Sequence, residues 1–246
     1  MMKTLNQQSG LTLIEMMVSL VISLIILAGL YTIYSSNKTA YQRNTGLTQI
    51  QESGRYAISM LAKDIRMAGY PKTNDVLQTV LFNGSADNTG PNGSDVLVIR
   101  HGSQLDPTEN CMGVLTNNTV PLTTNTVNTY EIRDTGRINN AGRAIFALMC
   151  NNTELVEGIE NMQVLYGIDS SGTGTPSRYV TLNNVTNWSS VVTIQIAILA
   201  SSVDDFAANS SERSFVLADQ TVGPFAADRI IRRAYTTTSL LRNHMP

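Results

Sequence analysis

The chain has 246 residues and a net charge of −2 at neutral pH, so it lacks the strongly basic balance that is typical of nucleic-acid-binding proteins. Charged residues make up 15% of the chain, against about 25% in ordinary soluble domains. Its two histidines, His101 and His244, have no recognisable ligand spacing with either of its two cysteines, which argues against a zinc centre. We therefore expect no nucleic-acid partner, no metal site and no cofactor.

A polar leader ends at Gly10 and is followed by a long apolar run from Leu11 to Tyr34. At about 1.5 Å per residue, a helix over this run extends roughly 36 Å, enough to cross a hydrocarbon core of about 30 Å. In an ordinary secretory signal the apolar region is shorter and the small residue at the cleavage site follows it. Here Gly10 comes first, so cleavage after it would leave the apolar helix on the mature chain. The pattern predicts a retained transmembrane helix.

Glu15 is the carboxylate inside this run. A carboxylate one turn inside a membrane span costs about 2.5–3.5 kcal/mol on insertion scales and usually has a partner. Cleavage after Gly10 would create one, because the new α-amino group of Leu11 is positively charged and lies one helical turn away, or belongs to a neighbouring subunit. The alternative is an interfacial carboxylate that snorkels into lipid head groups.

The start of the apolar run has the motif Gly10-Leu11-Thr12-Leu13-Ile14-Glu15. This motif resembles the class III signal of type IV prepilins and type II secretion pseudopilins. In that family a membrane peptidase cleaves after the glycine and methylates the new amino terminus, and the glutamate guides the docking of subunits. The resemblance implies cleavage between Gly10 and Leu11, N-methylation of Leu11 and an assembly role for Glu15. The family prefers Phe directly after the glycine, and Leu11 keeps that position apolar.

Apolar residues recur at three- and four-residue spacing after the span, which predicts one helical stripe made of Leu47, Ile50, Gly54, Ala57, Ile58, Leu61, Ile65 and Ala68. Gly69 and Pro71 are typical of a helix end. We expect one helix with a transmembrane half at 11–34 and an amphipathic half at 35–69.

Two features leave the shape of this helix open. Gly46 and Gly54 are candidate bending sites, because glycine weakens a helix interior by about 1 kcal/mol relative to alanine. The alternative to one helix is two helices with a break near residues 35–37.

After residue 70 the chain becomes rich in Asn, Thr, Ser and Gly, and short apolar or alternating runs at 95–100, 144–149, 162–166 and 191–199 predict strands. Loops are expected at 83–94, 115–128, 169–177 and 203–213. The fold class is therefore α+β, with a long N-terminal helix packed on a mainly antiparallel sheet that forms one head over 70–246.

Cys111 and Cys150 form an even pair in a segment that is expected to leave the cytoplasm, which favours a disulfide. It would close a loop of about 40 residues and contribute about 3–4 kcal/mol. Two reduced core thiols or a metal pair are the alternatives.

The sequence contains no nucleophile elbow, no phosphate-binding loop and no zinc-protease pair, so no enzyme is predicted. Asp204 and Asp205 are two adjacent acids, more typical of a solvated turn than of a calcium site. Four arginines near the end, Arg229, Arg232, Arg233 and Arg242, predict an edge strand with solvated side chains.

Four further stretches extend the resemblance, which is to the PilW-type minor pilins (PilW/PulJ): residues 51–57 (QESGRYA), 61–70 (LAKDIRMAGY), 156–167 (VEGIENMQVLYG) and 232–243 (RRAYTTTSLLRN). The resemblance implies a type IV pilin-like fold and a structural subunit at the tip or in the priming complex of a pilus. It implies as partners other minor pilins, the major pilin, a PilY-type tip adhesin, prepilin peptidase and the inner-membrane assembly platform.

The expected location is the inner membrane, with residues 1–10 as a cytoplasmic leader and the head in the periplasm, and then the pilus or cell surface. A minor pseudopilin of a type II secretion system shares the fold and the signal and is the alternative. A major pilin fits less well, because its disulfide normally lies near the C-terminus. A membrane-anchored exported enzyme or binding protein would leave Glu15 unexplained.

Overall fold

The computed structural model describes residues 12–70, 81–101, 108–113, 115–116, 126–206, 212–225 and 228–243. Its contacts divide the chain into two units, residues 1–44 and 45–246. Each unit is described by itself.

One helix, α1, covers Leu13–Met67 without interruption, so the alternative of a break near residues 35–37 is wrong. In the first unit every residue from Thr12 to Lys38 is exposed. The hydroxyl groups of Ser19, Ser23 and Thr32 each donate to the backbone carbonyl one turn earlier, at 2.7–2.9 Å. The polar side chains of the apolar run therefore satisfy themselves within the helix, as a lipid environment requires.

In the second unit, α1 buries one stripe against the sheets, at Ile50, Gly54, Ala57, Leu61 and Ile65. This is the stripe that the apolar spacing predicts. The helix ends at Met67, and Gly69 follows with a positive φ of 72°, a left-handed conformation that glycine adopts without strain.

Twelve strands follow: β1 (Leu97–His101), β2 (Thr108–Glu109), β3 (Leu115–Thr116), β4 (Thr126–Ile138), β5 (Ala144–Cys150), β6 (Thr153–Glu157), β7 (Ile159–Ile168), β8 (Arg178–Val180), β9 (Val191–Ser201), β10 (Arg213–Leu217), β11 (Gln220–Phe225) and β12 (Arg232–Leu240). Short 3₁₀ turns lie at Pro91–Gly93, Leu182–Asn184 and Trp188–Ser190.

The strands form two four-stranded sheets, in the orders β1-β4-β5-β6 and β12-β9-β7-β8, and the pairs β10-β11 and β2-β3. Every pairing is antiparallel. The expected α+β class, with one long helix and antiparallel sheets, is confirmed.

The two faces of β9 explain how the core is divided. Ile194, Ile196 and Ile198 lie in the main core together with the buried stripe of α1. The alternating residues Ala197 and Leu199 instead pack against the β10-β11 hairpin. The period of two along a strand thus places one apolar face under the helix and the other under the hairpin.

All four predicted strands are present: three expected runs lie inside β5, β7 and β9, and the run at 95–100 begins two residues before β1. The loop expected at 115–128 is wrong at both ends, because β3 covers Leu115–Thr116 and β4 begins at Thr126. That strand is mostly polar, and buried Asn128 fills its inward position through hydrogen bonds, so apolar runs do not reveal it. The loop expected at 203–213 likewise stops short of Arg213, where β10 begins.

Candidate assembly site

The start of α1 holds Glu15 in a capping box. Glu15 Oε2 accepts hydrogen bonds from the backbone N–H and the hydroxyl of Thr12, each at 2.9 Å, and Glu15 N donates to Thr12 Oγ1 at 3.4 Å. Thr12 is thus the N-cap and Glu15 occupies the third helical position. The sequence reasoning missed this role of Glu15, although Thr-x-x-Glu before an apolar run is its usual signal.

Gly10 and Leu11, the expected processing site, lie outside the described residues. The pairing of Glu15 with an α-amino group at Leu11 therefore stays a prediction. Within its own chain, Glu15 accepts hydrogen bonds from two uncharged donors of Thr12, and neither donor supplies a positive charge.

The apolar side chains that follow Glu15 form an exposed surface of the first unit. Their exposed fraction is 65% at Met16, 52% at Ile22 and still 60% at Ile33. This helix is long and apolar enough to cross a membrane. A surface of this size needs lipid or other apolar helices around it.

Two glycines of α1 lie directly beneath aromatic rings of the second unit. An ideal Cβ on Gly54 would stand 2.4 Å from the Tyr235 ring, and one on Gly46 would stand 2.4 Å from the Phe206 ring. The glycines therefore permit close packing, a different role from the bending that the sequence suggests, and α1 continues through both positions.

A buried polar cluster lies where α1 meets β1 and β4. Asp64 Oδ2 accepts from Asn128 Nδ2 at 2.8 Å and from the Tyr130 hydroxyl at 3.0 Å. His101 Nε2 lies 3.6 Å from Asp64 Oδ1. Asp64 lies on the buried side of the predicted stripe, between Leu61 and Ile65, and a carboxylate at such a position could have indicated a partnered buried group.

Two titratable groups of this cluster have shifted pKa values. Burial lowers the pKa of His101, and the Asp64 carboxylate opposes that effect. Burial, followed by the charge of Asp64 and the hydrogen bond to it, raises the pKa of Tyr130 far above its ordinary value. Both shifts favour the neutral forms, the uncharged imidazole of His101 and the protonated phenol of Tyr130.

Cys111 and Cys150 are joined by a disulfide, with their Cα atoms 6.4 Å apart. Both are buried, and Cys150 ends β5. Cys111 N donates to Asn128 Oδ1 at 3.2 Å, so the disulfide turn and the Asp64 cluster share Asn128. The covalent bond thus holds the turn at 110–113 next to the contact between helix and sheet.

The arginines near the C-terminus do not all lie in solvent, which corrects the expectation for Arg232. Its side chain is 4% exposed and donates to both oxygens of Glu160, at 2.6 and 3.2 Å, and to both oxygens of Asp228, at 2.9 Å. The guanidinium also lies 4.0 Å from the centre of the Phe225 ring. Two carboxylates and a ring therefore fix the first residue of β12.

A second carboxylate is buried beside β7. Asp95 accepts from the backbone N–H groups of Asn88 and Val164, both at 2.8 Å. Burial raises the pKa of Asp95 to about 6, with smaller contributions from the charges of Asp87 and Asp219 and an opposing effect of the two hydrogen bonds. Within the described ranges, no group of three or more His, Cys, Asp or Glu side chains is arranged to hold a metal ion.

Two models of known families match parts of the chain. Residues 124–243 match the model of the type IV pilus-assembly protein W, PilW, and residues 5–31 match the prokaryotic N-terminal methylation motif. The second half of the chain is thus similar to the PilW family, and its start carries a prepilin signal. The PilW match covers just under half of the chain, from before β4 to the end of β12, and the second match covers the prepilin signal with part of the apolar helix.

Among solved structures, a type IV-like pilin from Thermus thermophilus is similar, with a TM-score of 0.44 and 14% identity over 80% of this chain and 97% of that chain. No curated protein sequence matches the chain. The two matches indicate a type IV pilin-like protein with a prepilin signal, and such proteins are structural and interact with other pilus components. The signal and the exposed apolar helix indicate membrane anchoring.

Proposed function

We propose that the chain is a minor pilin, a structural subunit of the tip or priming complex from which a type IV pilus is assembled. The PilW match over β4–β12, together with the prepilin signal, supports this role. The proposed partners are other minor pilins, the major pilin, a PilY-type tip adhesin, prepilin peptidase and the inner-membrane assembly platform.

The observation that carries the proposal is the exposed apolar helix with a carboxylate at its start. In a simple membrane anchor Glu15 would serve only the capping box, while its insertion costs about 2.5–3.5 kcal/mol on insertion scales. A subunit that packs its helix among other helices can offset that cost with an amine at the start of a neighbouring helix. The exposed apolar surface that follows Glu15 supports this part of the proposal.

Processing and location follow from the same role. Prepilin peptidase would cleave between Gly10 and Leu11 and methylate Leu11, with the N-terminus in the cytoplasm and residues 70–246 in the periplasm before assembly. The Cys111–Cys150 disulfide supports an oxidising compartment for that head. After assembly the subunit would lie in the pilus.

Mass spectrometry of the mature N-terminus tests the processing step. We expect a methylated Leu11 at the terminus of protein purified from membranes. Gly10→Val should block cleavage, because its bulk does not fit a peptidase site built for glycine. A functional protein that begins at Met1 or Met2 would contradict the proposal.

Deletion of the gene separates the pilus from a type II secretion system. We expect the deletion strain to lose surface pili while it secretes folded exoproteins at the normal level. Normal piliation with impaired secretion would instead identify the chain as a minor pseudopilin.

A further inference from the structure

The two four-stranded sheets have four edge strands, β1, β6, β8 and β12, and the first is covered by its own chain. Ala86 and Val96 exchange backbone hydrogen bonds just before β1, and Arg100 N donates to Leu81 O at 3.1 Å. The segment 81–86 therefore occupies the outer side of β1. Such coverage prevents a sheet edge from pairing with another chain.

The next two edges are protected by other means. β6 carries Glu154 and Glu157 and pairs with β5 through a register shift. β8 is three residues long and begins with Arg178. Charge, irregularity and shortness are the usual protections of exposed edges.

β12 has none of these protections over residues 234–240. This stretch contains no charged residue and no proline, and its register with β9 continues without a shift. Tyr235, Thr236, Thr237 and Thr238 are residues that favour strands. A long, regular and uncharged edge of this kind is a template for another strand.

The hydrogen bonds at the two ends of β12 show which backbone groups face outward. Leu241 N donates to Val192 O, and Ser202 N donates to Ile231 O, both in the register of the β9-β12 pair. Antiparallel strands bond through alternate residues. The backbone groups of Ala234, Thr236, Thr238 and Leu240 therefore point away from β9.

These four residues are exposed, and within the described parts of the chain their outward N–H and C=O groups have no partner. At about 3.3 Å per residue they extend over roughly 20 Å. Only an extended backbone presents donors and acceptors at the same alternation and spacing.

We propose that the outer edge of β12 binds an extended, uncharged strand of another pilus subunit, which joins the sheet as a fifth strand. Backbone hydrogen bonds would supply the binding energy, and the absence of charge over 234–240 matches an uncharged partner strand. The identity of the partner as a pilus subunit rests on the proposed function.

Proline substitutions test the outer edge of β12 without removing a hydrogen bond between β12 and β9. Thr236→Pro together with Thr238→Pro removes two outward N–H groups and no bond to β9, and edge strands tolerate proline at such positions. Thr236→Ala with Thr238→Ala is the matched control, since it shortens the same side chains and keeps both N–H groups. Equal thermal midpoints and membrane levels of the two full-length variants establish that both fold.

The binding readout is a photo-crosslinking amino acid at Leu240, with the same group at exposed Val216 in β10 as the position control. In piliated cells we expect an adduct from position 240 that peptide mapping assigns to a strand of another subunit with a prepilin signal. The proline pair should reduce this adduct by about tenfold or more, since each unpaired group left in an interface costs about one decade in affinity. The alanine pair should retain it.

If the proline pair does not fold, Thr238→Lys tests the proposal instead. This variant places a charge on the exposed face of β12 and keeps every backbone N–H and C=O group. We expect it to reduce the adduct as well. An undiminished adduct in the folded proline pair, or in Thr238→Lys, would overturn the proposal, and so would an adduct with a second copy of this chain alone. If Gly10→Val abolishes pili while the β12 variants assemble normally, the strand-addition proposal is contradicted and the minor-pilin proposal is supported. If Gly10→Val also leaves piliation unchanged, the minor-pilin proposal itself is contradicted.

Discussion

The ring of Tyr235 occupies the space above Gly54 in which any larger residue would place its Cβ. That Cβ would lie 2.4 Å from Cε2 of the ring, which is closer than Cβ atoms approach other side chains in proteins. The Tyr235 hydroxyl also donates to the Ile50 carbonyl at 3.3 Å. The same turn of α1 thus packs against the ring of Tyr235 on the edge strand β12 and accepts a hydrogen bond from its hydroxyl.

Gly54→Ala should therefore destabilise the protein, by about 1–3 kcal/mol, because the ring has to leave a tightly packed position. In the background Tyr235→Ala the same change should stabilise by about 1 kcal/mol, since only the helix propensity of alanine remains. Urea unfolding of the four full-length proteins measures this cycle. An equal effect of Gly54→Ala in both backgrounds would show that the ring does not matter.

Sequence periodicity located the buried stripe of α1 and the four apolar strands, because burial leaves a regular pattern along one element. It could not assign Gly54 and Gly46 to ring packing, since the rings come from residues far away in the chain. It also missed β4, whose inward Asn128 is held by hydrogen bonds to residues far away in the chain, such as Asp64. Contacts of this kind depend on the fold itself and leave no local pattern.

The sequence likewise indicated some residues of the candidate site and not others. Glu15 is conspicuous in the sequence as a carboxylate in an apolar run, and its Thr12 partner follows a local rule that the sequence contains. Arg232 pairs with Asp228 four positions away but also with Glu160, which is 72 positions away, so local spacing alone could not indicate that this arginine is buried. The role of the β12 edge likewise depends on sheet order, which requires the structure.

Tyr130→Phe should cost about 1–3 kcal/mol of unfolding free energy, because it leaves the buried Asp64 carboxylate with one hydrogen bond fewer. Chemical denaturation measures the change. Tyr179→Phe is the control, since Tyr179 is 39% exposed and should change stability by less than about 0.5 kcal/mol. Similar values for the two variants would mean that the Tyr130 hydroxyl contributes nothing to the cluster.

Asp95 makes stability depend on pH in a direction opposite to that of most carboxylates. Its pKa is about 6 in the folded protein and near 3.8 without the fold, so between these values the folded state holds a proton that the unfolded state has released. The unfolding free energy from this group therefore rises as the pH falls through 6 towards 4.

Comparison with Asp95→Asn isolates this dependence, because asparagine does not titrate and all other groups, His101 included, are common to both proteins. The stability of the natural protein minus that of the variant should increase between pH 7 and pH 4. A difference that stays constant over this range would show that Asp95 has an ordinary pKa.

Glu15 has two separable roles, as the third residue of a capping box and as a charge for assembly. Glu15→Gln keeps an oxygen that can accept from Thr12 and removes the charge, whereas Thr12→Ala removes the capping hydroxyl and keeps the charge. Because the proposed partner is an α-amino group, we expect Glu15→Gln and Glu15→Ala to insert into the membrane at normal levels and to be nearly absent from sheared pili. Thr12→Ala should assemble. Immunoblots of membrane and pilus fractions measure both steps, and full incorporation of Glu15→Gln would show that capping alone explains this residue.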